Sequence, residues 1–424
     1  MTPTTMKSPV APVAFTTASP LVSPAPGASA TAPATAILGT YKRPAPLFVR
    51  GDGVYLWDDA GNKYIDFVAG IAVTSLGHND AGVMNAMREA MATGLIHTSN
   101  LYRTAPGEVL AEWLVDNSFA SRVFFCNSGA EANEGAFKFA RRWARTEHAH
   151  TSSMSAKHEI IAVRGSFHGR MPGTLAATDR PAYRLPFRPL MGGVTIVERD
   201  LDELRTVLDP ETAAAVIVEP IQGEGGVRIV DPEFLRGLRA LTRERNVLLI
   251  LDEIQCGLGR TGSVFAYEQL GFEPDMLTMA KPLAGGLPMG AILVTDEIAK
   301  TIQPGDHGTT FGGGPLLAHV ANHVVRRLSE PALLAHVRET GAWFGEQLHA
   351  LADRTGRVRD IRGKGLMWGM DVHEPSATII ARAFAKGLLL VGAGEHTLRF
   401  LPPLTITRDE LSAGLAILEQ ALTS

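Results

Sequence analysis

The stretch that decides the fold is "PDMLTMAKPLAGGLPMGA", residues 274–291, where a short apolar run ends at a single lysine, Lys281, and a glycine-rich loop follows. An apolar run of this length is typical of a buried strand. A lone ammonium group beside it would be costly unless it is paired or takes part in chemistry. Lys281 is therefore a candidate functional residue.

Short apolar runs alternate with helical patterns from about residue 122 to residue 294. The strand candidates are "RVFFC", "EIIAV", "AAVIVEP", "VLLILDE", "MLTMA" and "GAILVT". This alternation predicts an α/β protein whose mostly parallel sheet is covered by helices. Beyond about Val325, longer amphipathic helices and a few strands predict a smaller α+β domain, in which Thr407 and Glu410 have capping-box spacing.

The N-terminal region differs in composition from the rest of the chain. Residues 1–36 are mainly Ser, Thr, Ala and Pro with Lys7 as the only charge, so we expect a disordered tail. An organelle-targeting peptide is the alternative, although such peptides are usually rich in arginine and this segment has none. The following "FVRGDGVYLWDDAGNKYIDF", residues 48–67, predicts a β-hairpin with its turn at "DDAGN".

Composition and charge limit the class of protein. A chain of 424 residues, 45% hydrophobic and 20% charged, is typical of a soluble globular protein with two or three domains. The net charge of -4 predicts no general affinity for nucleic acid or anionic membrane. The two cysteines are far apart, which disfavours a disulfide scaffold or a zinc site and favours a reducing compartment such as the cytoplasm. No apolar run has the roughly 18 residues of a membrane span.

Asp252 ends the apolar run of "VLLILDEIQCGLGRTG", residues 247–262. A P-loop ATPase also has an acid there, but it needs a GxxxxGK[ST] loop, and neither Lys364 nor Lys386 has that context. Asp252 and Lys281 are 29 residues apart, about one strand, one helix and a second strand, so both are expected at the carboxyl edge of the sheet. Pyridoxal phosphate uses such a lysine as a Schiff base and such a carboxylate to protonate its ring nitrogen. A buried Asp–Lys ion pair is the alternative.

A candidate phosphate site lies in "FFCNSGAEANEGAFKFAR", residues 124–141. The pattern predicts a strand, a tight turn and a helix that starts near Ser128, Gly129 and Ala130. Unpaired backbone N–H groups at a helix start bind anions. A simple helix cap is the alternative.

Six motifs together resemble one family: "NSGAEANE", "SFHGR", "VEPIQGEGG", "LDEIQCGLGRTG", "MAKPLAGGLPMGA" and "HGTTFGGGPL". From about Thr40 to the C-terminus the chain resembles the class III aminotransferases, which are fold-type I pyridoxal phosphate enzymes. The resemblance implies a large domain with a seven-stranded, mostly parallel sheet and a smaller α+β domain. We expect residues 37–72 to pack with the small domain, 73–324 to form the large cofactor-binding domain and 325–424 the small domain.

The resemblance also implies how the cofactor is held. Lys281 is expected to form the Schiff base and to move the substrate proton, and Asp252 to bond the ring nitrogen. Gln255 matches the residue that bonds the phenolic oxygen, and Phe167 the aromatic that stacks on the ring. Ser128, Gly129 and Ala130 are expected to bind the phosphate.

A homodimer with shared active sites follows from the same resemblance. Thr310 matches a threonine that reaches the phosphate of the neighbouring subunit. "HTSNLYRT", residues 97–104, resembles a segment of the dimer interface. Gly314 departs from the family pattern, which has Asn at this position. The resemblance therefore does not determine the hydrogen bonding of this loop.

The substrate side is expected to centre on an arginine and a glutamate. Arg399 matches the arginine that binds the α-carboxylate of 2-oxoglutarate as a bidentate fork. Glu224 matches the carboxylate that pairs with this arginine while the amine donor is bound. Arg170 and Tyr41 match further substrate-side positions.

Arg141 is expected by similarity to bind the carboxylate of the amine donor. It also lies at helical spacing with Lys138, Arg142 and Arg145. A solvated basic face of the helix is therefore the alternative interpretation.

The resemblance implies a ping-pong transfer of the δ-amino group of N2-acetylornithine to 2-oxoglutarate. Succinylornithine, succinyl-diaminopimelate, a lysine-pathway intermediate and 4-aminobutyrate stay open as donors. Racemase or mutase chemistry is disfavoured, because a switch between Arg399 and Glu224 is useful only when an oxo acid enters. A non-catalytic α/β binding protein is the alternative of a different class.

Overall fold

The computed structural model describes residues 36–147 and 157–424, so the expected tail lies almost wholly outside the described residues. The chain divides into two compact units, residues 1–47 and 48–424. In the first unit, the described residues 36–47 contain no helix or strand, and their side chains are mostly exposed. The second unit carries all helices and strands described below.

The predicted hairpin is present and extends to three antiparallel strands, β1 (Phe48–Asp52), β2 (Tyr55–Asp58) and β3 (Lys63–Asp66). Asp58 Oδ1 accepts hydrogen bonds from the amides of Ala60 and Asn62, at 3.1 and 2.8 Å, and so fixes the expected turn. The helices before the main sheet are α1 (Ala69–Ala72), α2 (Ala81–Ala92) and α3 (Ala105–Asp116). Because all four residues of α1 have positive φ, this element is a left-handed turn.

The central region follows the predicted alternation of strands and helices. Its elements are β4 (Arg122–Cys126), α4 (Gly129–Glu147), β5 (Glu159–Val163), α5 (Pro172–Ala176), α6 (Pro181–Arg184), β6 (Val194–Val197), α7 (Leu201–Val207), β7 (Ala213–Val218), β8 (Ile221–Gln222), β9 (Arg228–Ile229), α8 (Pro232–Glu244), β10 (Leu248–Asp252), β11 (Met276–Met279) and β12 (Gly290–Val294). The main sheet has the order β4-β12-β11-β10-β7-β5-β6, and β12 alone runs antiparallel to its neighbours. The expected seven-stranded, mostly parallel sheet is therefore confirmed.

The middle strands are buried because both faces of the sheet are covered. Every residue of β7 and β10 is buried. Ile217 and Ile250 pack into the cluster that contains Phe137 and Trp143 of α4. Val216 and Leu249, one position earlier on each strand, pack into the larger cluster on the other face, as strand alternation requires.

The remainder of the chain, from residue 296, contains two helices followed by an α+β region. Its elements are α9 (Asp296–Ala299), α10 (Pro315–Leu328), α11 (Pro331–Thr355), β13 (Val358–Lys364), β14 (Met367–Val372), α12 (Ser376–Ala385), β15 (Leu388–Leu389), β16 (Val391–Gly392), β17 (Thr397–Phe400) and α13 (Arg408–Thr423). Strands β13-β14-β17-β16 form an antiparallel sheet, and β15 pairs with β3 of the N-terminal sheet. The predicted capping box of Thr407 and Glu410 opens α13. The exact domain boundaries stay predictions.

Three further observations concern membrane-spanning helices, metal sites and the two cysteines. None of the helices within residues 36–147 and 157–424 combines the length and the apolar character needed to cross a membrane. Across the same residues, no group of three or more His, Cys, Asp or Glu side chains is placed to hold a metal ion. Cys126 and Cys256 are buried free thiols.

Candidate active site

The two residues that the sequence singled out lie at the same edge of the sheet. Asp252 is the last residue of β10, and Lys281 follows β11 by two positions, at the start of a short 3₁₀ helix. The two strands are parallel neighbours, with Asp252 opposite Thr278. Their carboxyl ends therefore meet, as a ligand site of an open α/β sheet requires.

Asp252 is buried, at 3% exposure, and its carboxylate is held by three donors. Oδ2 accepts from Asn133 Nδ2 and lies 2.8 Å from His168 Nδ1, and Oδ1 accepts from the amide of Ile254 at 3.1 Å. We assign the donor of this contact to His168 Nδ1, because carboxylate oxygens are acceptors. Thr278 Oγ1 donates to Asn133 Oδ1 at 2.7 Å and so fixes which way the Asn133 amide points. The carboxylate is thus held in one orientation.

Lys281 is partly accessible and has no hydrogen bond or salt bridge within the described part of the chain. Burial lowers the pKa of Lys281, Arg399 lowers it further, and the negative charge of Asp252 opposes this shift. An amine with a lowered pKa is more often neutral near pH 7, which suits a nucleophile or a base.

The predicted phosphate seat is a helix start at the same edge. Helix α4 begins at Gly129, directly after Ser128. Ser128 Oγ accepts from the amide of Glu131 at 3.2 Å, and the amides of Gly129 and Ala130 lie in the first turn, where a helix has no internal acceptors. A Cβ on Gly129 would come within 2.7 Å of the Ile254 side chain. Only glycine therefore lets α4 start this close to the segment after Asp252.

Phe167 lies at this edge as well, in the loop after β5. Its ring is partly buried and packs edge-on against Tyr183, with centroids 6.2 Å apart. Its amide donates to Glu219 Oε2 at 2.9 Å. Burial, with a smaller contribution from Asp252, raises the pKa of Glu219 to about 7, while His168 opposes the shift.

Arg399, Glu224 and Gln255 form one contact group. Arg399 Nη2 donates to Glu224 Oε1 at 2.7 Å, and Nη1 donates to Gln255 Oε1 at 3.1 Å. The guanidinium is almost fully buried, and its Nε has no hydrogen-bond partner among the described residues. The structure therefore brings Arg399 together with Glu224, its predicted partner while the amine donor is bound. Gln255, which is predicted to hold the cofactor, lies next to them.

Arg141 is not brought to this edge. Its guanidinium donates to the carbonyls of His158, at 2.8 Å, and Gly193, at 3.1 Å. Both carbonyls directly precede strands, so Arg141 lies at the amino edge of the sheet. The alternative, a basic helix face, agrees with these contacts and with the salt bridge of Arg142 to Asp306.

The other two predicted substrate residues differ in their surroundings. Arg170 is exposed in the loop after β5, with its guanidinium 4.1 Å from the centre of the Tyr183 ring. Tyr41 is exposed in the first unit, and its role stays a prediction.

The loop that carries Thr310 contacts the segment predicted for a dimer interface. Asn100 Nδ2 donates to the carbonyl of Thr309 at 2.6 Å, and the rings of His97 and Phe311 are 5.4 Å apart. Thr310 itself is exposed. Exposed apolar side chains occur in the Thr310 loop and along α2, α3 and the chain between them, and we call the following set the apolar patch: Met91, Leu95, Ile96, Leu101, Tyr102, Val109 and Phe311.

Three buried residues of this site were not predicted: Asn133, His168 and Glu219. Each lies inside a motif that the sequence analysis quoted, but no charge pattern or spacing distinguishes it there. Their contacts with Asp252 and Phe167 span 119, 84 and 52 residues. Only the folded chain brings these residues together.

The family model for class III aminotransferases matches residues 40–422, and the chain belongs to this family of pyridoxal phosphate-dependent enzymes. A relative from Gloeobacter violaceus, named acetylornithine aminotransferase, is 47% identical over 386 residues, which cover 90% of this chain and 94% of the relative. A relative from Yersinia pseudotuberculosis, named succinylornithine transaminase, is 44% identical over 392 residues, covering 91% and 94%.

Among solved structures, the ornithine aminotransferase of Toxoplasma gondii superimposes with a TM-score of 0.85 at 31% identity and covers 92% of each chain. That structure has pyridoxal phosphate at partial occupancy in its active site. The fold and the reaction class of this chain, an aminotransferase acting on small molecules, are therefore established by its relatives.

Proposed function

We propose that this chain transfers the δ-amino group of N2-acetylornithine to 2-oxoglutarate, giving N-acetylglutamate 5-semialdehyde and glutamate. The observation that carries the proposal is the meeting of Lys281 and the oriented carboxylate of Asp252 at the ends of neighbouring strands. The choice of donor is supported by the name of the 47% identical relative.

The residues of this edge fit pyridoxal phosphate. Lys281 would hold it through Nζ, Asp252 would bond its ring nitrogen, and Gln255 its phenolic oxygen. Phe167 would cover one ring face, and the phosphate would lie at the start of α4, residues 128–130. The first-turn amides of α4 at residues 129 and 130 and the fixed Asp252 carboxylate support this fit. When bound, the cofactor supplies an electron sink for the carbon that loses its proton.

Lys281 would be the group that moves the substrate proton. Because burial lowers the pKa of Lys281, a larger fraction of its amine is neutral at a given pH than for an exposed lysine, and only the neutral amine can accept a proton. Its Nζ would take the proton from the amine-bearing Cδ of the donor. A positioned base of this kind typically contributes about 10²–10⁴-fold in rate.

Arg399 and Glu224 would let one cleft accept two different substrates. With the amine donor bound, Glu224 neutralises Arg399, as in the 2.7 Å contact. When 2-oxoglutarate enters, its carboxylate would replace that of Glu224 on the guanidinium fork. The exposure of Glu224, 19% against 1% for Arg399, leaves the glutamate the more movable partner.

The carboxylate of the donor is assigned to Arg170 rather than to Arg141. Arg170 lies in the loop after β5, two residues beyond His168, at the carboxyl edge of the sheet, whereas Arg141 is engaged with carbonyls at the amino edge. Tyr41 stays a proposed substrate residue.

A homodimer would complete the site, with Thr310 bonding the phosphate held by the partner subunit. The exposure of Thr310 and of the side chains of the apolar patch supports this assembly, because exposed large apolar side chains are often buried when an interface forms. We infer a cytoplasmic enzyme, or one of an organelle matrix if residues 1–36 are a targeting peptide.

The test is a half-reaction screen on the purified protein loaded with pyridoxal phosphate. Each amine donor is mixed with the yellow protein, without an oxo acid, and the rate of bleaching is measured. We expect N2-acetylornithine to bleach it fastest. Succinylornithine is the second candidate, supported by the 44% identical relative of that name. A decisive preference for 4-aminobutyrate would contradict the assignment of the donor and leave the family unchanged.

A further inference from the structure

We propose that Glu219 is a positioning residue that ties the Phe167 loop to the loop carrying Glu224 and so sets the balance between the two substrates. This inference rests on the proposed function. Glu219 follows β7 directly and is 5% exposed, yet the proposed chemistry gives it no part.

The tie consists of one carboxylate and two backbone amides. Glu219 Oε2 accepts from the amide of Phe167 at 2.9 Å, and Oε1 accepts from the amide of Gly223 at 3.3 Å. Phe167 is the proposed ring-stacking residue, and Gly223 directly precedes Glu224. The two loops that bound the cleft are thereby joined through a single side chain.

The loops are in close contact around this carboxylate. Gln222 Nε2 donates to the carbonyl of Arg164 at 2.8 Å. A Cβ on Gly225 would come within 2.6 Å of the Gly165 carbonyl oxygen, and one on Gly165 within 2.7 Å of Gln222 Oε1. Because the backbones approach this closely, a change in the position of one loop is transmitted to the other.

The tie depends on the charge of Glu219. The titratable groups that act on it are His168, on the loop after β5, and Asp252, at the end of β10, and Glu219 in turn acts on Lys281. Its pKa is raised to about 7. The ionised carboxylate accepts both amides, whereas a protonated one has an O–H on one oxygen and keeps a single good acceptor.

The consequence for the substrates follows from Glu224. When Gly223 is no longer held, Glu224 is less firmly placed against Arg399. Binding of the amine donor needs Arg399 neutralised, and binding of the oxo acid needs it open. Loosening the tie therefore disfavours the amine relative to the oxo acid.

The first measurement needs no cofactor. Hydrogen exchange is followed by mass spectrometry in the cofactor-free protein, for peptides that contain Phe167 and Gly223, at pH 6 and pH 8 after correction for the intrinsic rate. In the wild type we expect stronger protection at pH 8. In Glu219→Gln we expect exchange about threefold to tenfold faster at pH 8 and little dependence on pH.

The matched control is Glu253→Gln. Glu253 is also a buried carboxylate that accepts two amides, those of Ala266 at 2.6 Å and Tyr267 at 2.7 Å, and its pKa is raised to about 8. Its amides belong to a segment outside the cleft. We expect this variant to change exchange around residues 266–267 and not around Phe167 or Gly223.

The second measurement separates a positioning role from a merely structural one. In the loaded enzyme, with whichever donor bleaches the wild type fastest, KM is measured for the donor and for 2-oxoglutarate. For Glu219→Gln we expect the ratio of donor KM to oxo-acid KM to rise about fivefold to twentyfold. Glu219→Asp keeps the charge, but its side chain is too short to reach both amides. We therefore expect its KM ratio to rise as in Glu219→Gln. Glu253→Gln should leave the ratio unchanged.

Unchanged exchange in Glu219→Gln, an unchanged KM ratio, or a wild-type ratio in Glu219→Asp would each overturn the proposal. If the wild type transferred no amino group, the proposed function would be wrong. The hydrogen-exchange measurement would still test whether Glu219 holds the two loops together.

Discussion

Arg399 Nη2 and Glu224 Oε1 lie 2.7 Å apart, and the guanidinium is buried while the carboxylate is partly exposed. A buried arginine needs a partner, because an unpaired buried charge is strongly destabilising. Before a substrate binds, Glu224 is therefore the charged partner of Arg399, and a substrate carboxylate can replace it.

Replacing Arg399 by lysine should impair the oxo-acid half-reaction. Lysine lacks the planar fork that binds a carboxylate through two parallel hydrogen bonds. We expect the KM for 2-oxoglutarate to rise about 10- to 100-fold, the effect of losing one hydrogen bond to a charged group. Arg359→Lys, at an exposed position, is the control and should leave this KM unchanged. An equal rise in both variants would contradict the assignment.

The donor half-reaction should accelerate with rising pH. Lys281 must be neutral to accept the substrate proton, and burial lowers its pKa from 10.5. The rate should therefore rise with pH and level off below pH 10.5. Stopped-flow bleaching from pH 6 to pH 11 measures this profile, and a rate that first levels off above pH 10.5 would count against Lys281 as the base.

Lys281 should lower the stability of the cofactor-free protein. Its folded-state pKa lies below its unfolded value, so the unfolded chain binds the proton more strongly, and stability rises with pH between the folded-state pKa and 10.5. We expect Lys281→Met to be more stable than the wild type at pH 7, by about 0.5–2 kcal/mol.

The control for that comparison is Lys300→Met. Lys300 is exposed and pairs with Asp296, so its replacement should change the free energy of unfolding by less than about 0.5 kcal/mol. Urea unfolding at pH 7 measures both variants. A Lys281→Met protein less stable than the wild type would show that the lysine stabilises the fold.

Phe311→Asp should separate the proposed dimer. Phe311 is 63% exposed within the apolar patch, and a carboxylate buried there without a partner would oppose association. We expect monomers by light scattering together with loss of activity, because Thr310 no longer reaches a partner site. Val49→Asp, on an equally exposed residue of β1, should stay dimeric and active. An active dimer of the Phe311 variant would refute the shared site.

Gly314→Asn should stabilise the protein slightly. Gly314 is the N-cap of α10, has φ -52°, and offers no side chain to the first amides of the helix. A Cβ there would meet only the Phe311 carbonyl oxygen at 3.4 Å. Since asparagine is a good cap, we expect a gain of a few tenths of a kcal/mol in thermal unfolding. Gly192→Asn, at an open position that caps no helix, should show no gain.

The central sheet could be predicted because its strands are uninterrupted apolar runs buried on both faces, as β7 and β10 are. Edge strand β6 was not predicted, since "VTIV" is short and mostly half-buried, so the pattern is weak. The meeting of Asp252 and Lys281 could also be predicted, because chain spacing in an α/β sheet decides at which edge a residue lies.

Arg141 is a predicted substrate residue that the structure places away from the site. The substrate role of Arg141 was expected by similarity, and a match along the sequence does not show which edge of the sheet a side chain reaches. Arg141 lies 12 residues into α4, about 18 Å from the helix start at 1.5 Å per residue. His168 and Glu219 were not predicted, because their partners are distant in sequence and adjacent only in the fold.

The most direct measurement is the chemical trapping of the cofactor. The protein is loaded with pyridoxal phosphate, reduced with borohydride, digested and mapped by mass spectrometry. We predict one modified residue, Lys281, in the wild type, and no specific modification in Lys281→Ala. A protein that stays colourless after loading, or a label on another lysine with Lys281→Ala still active, would contradict the account.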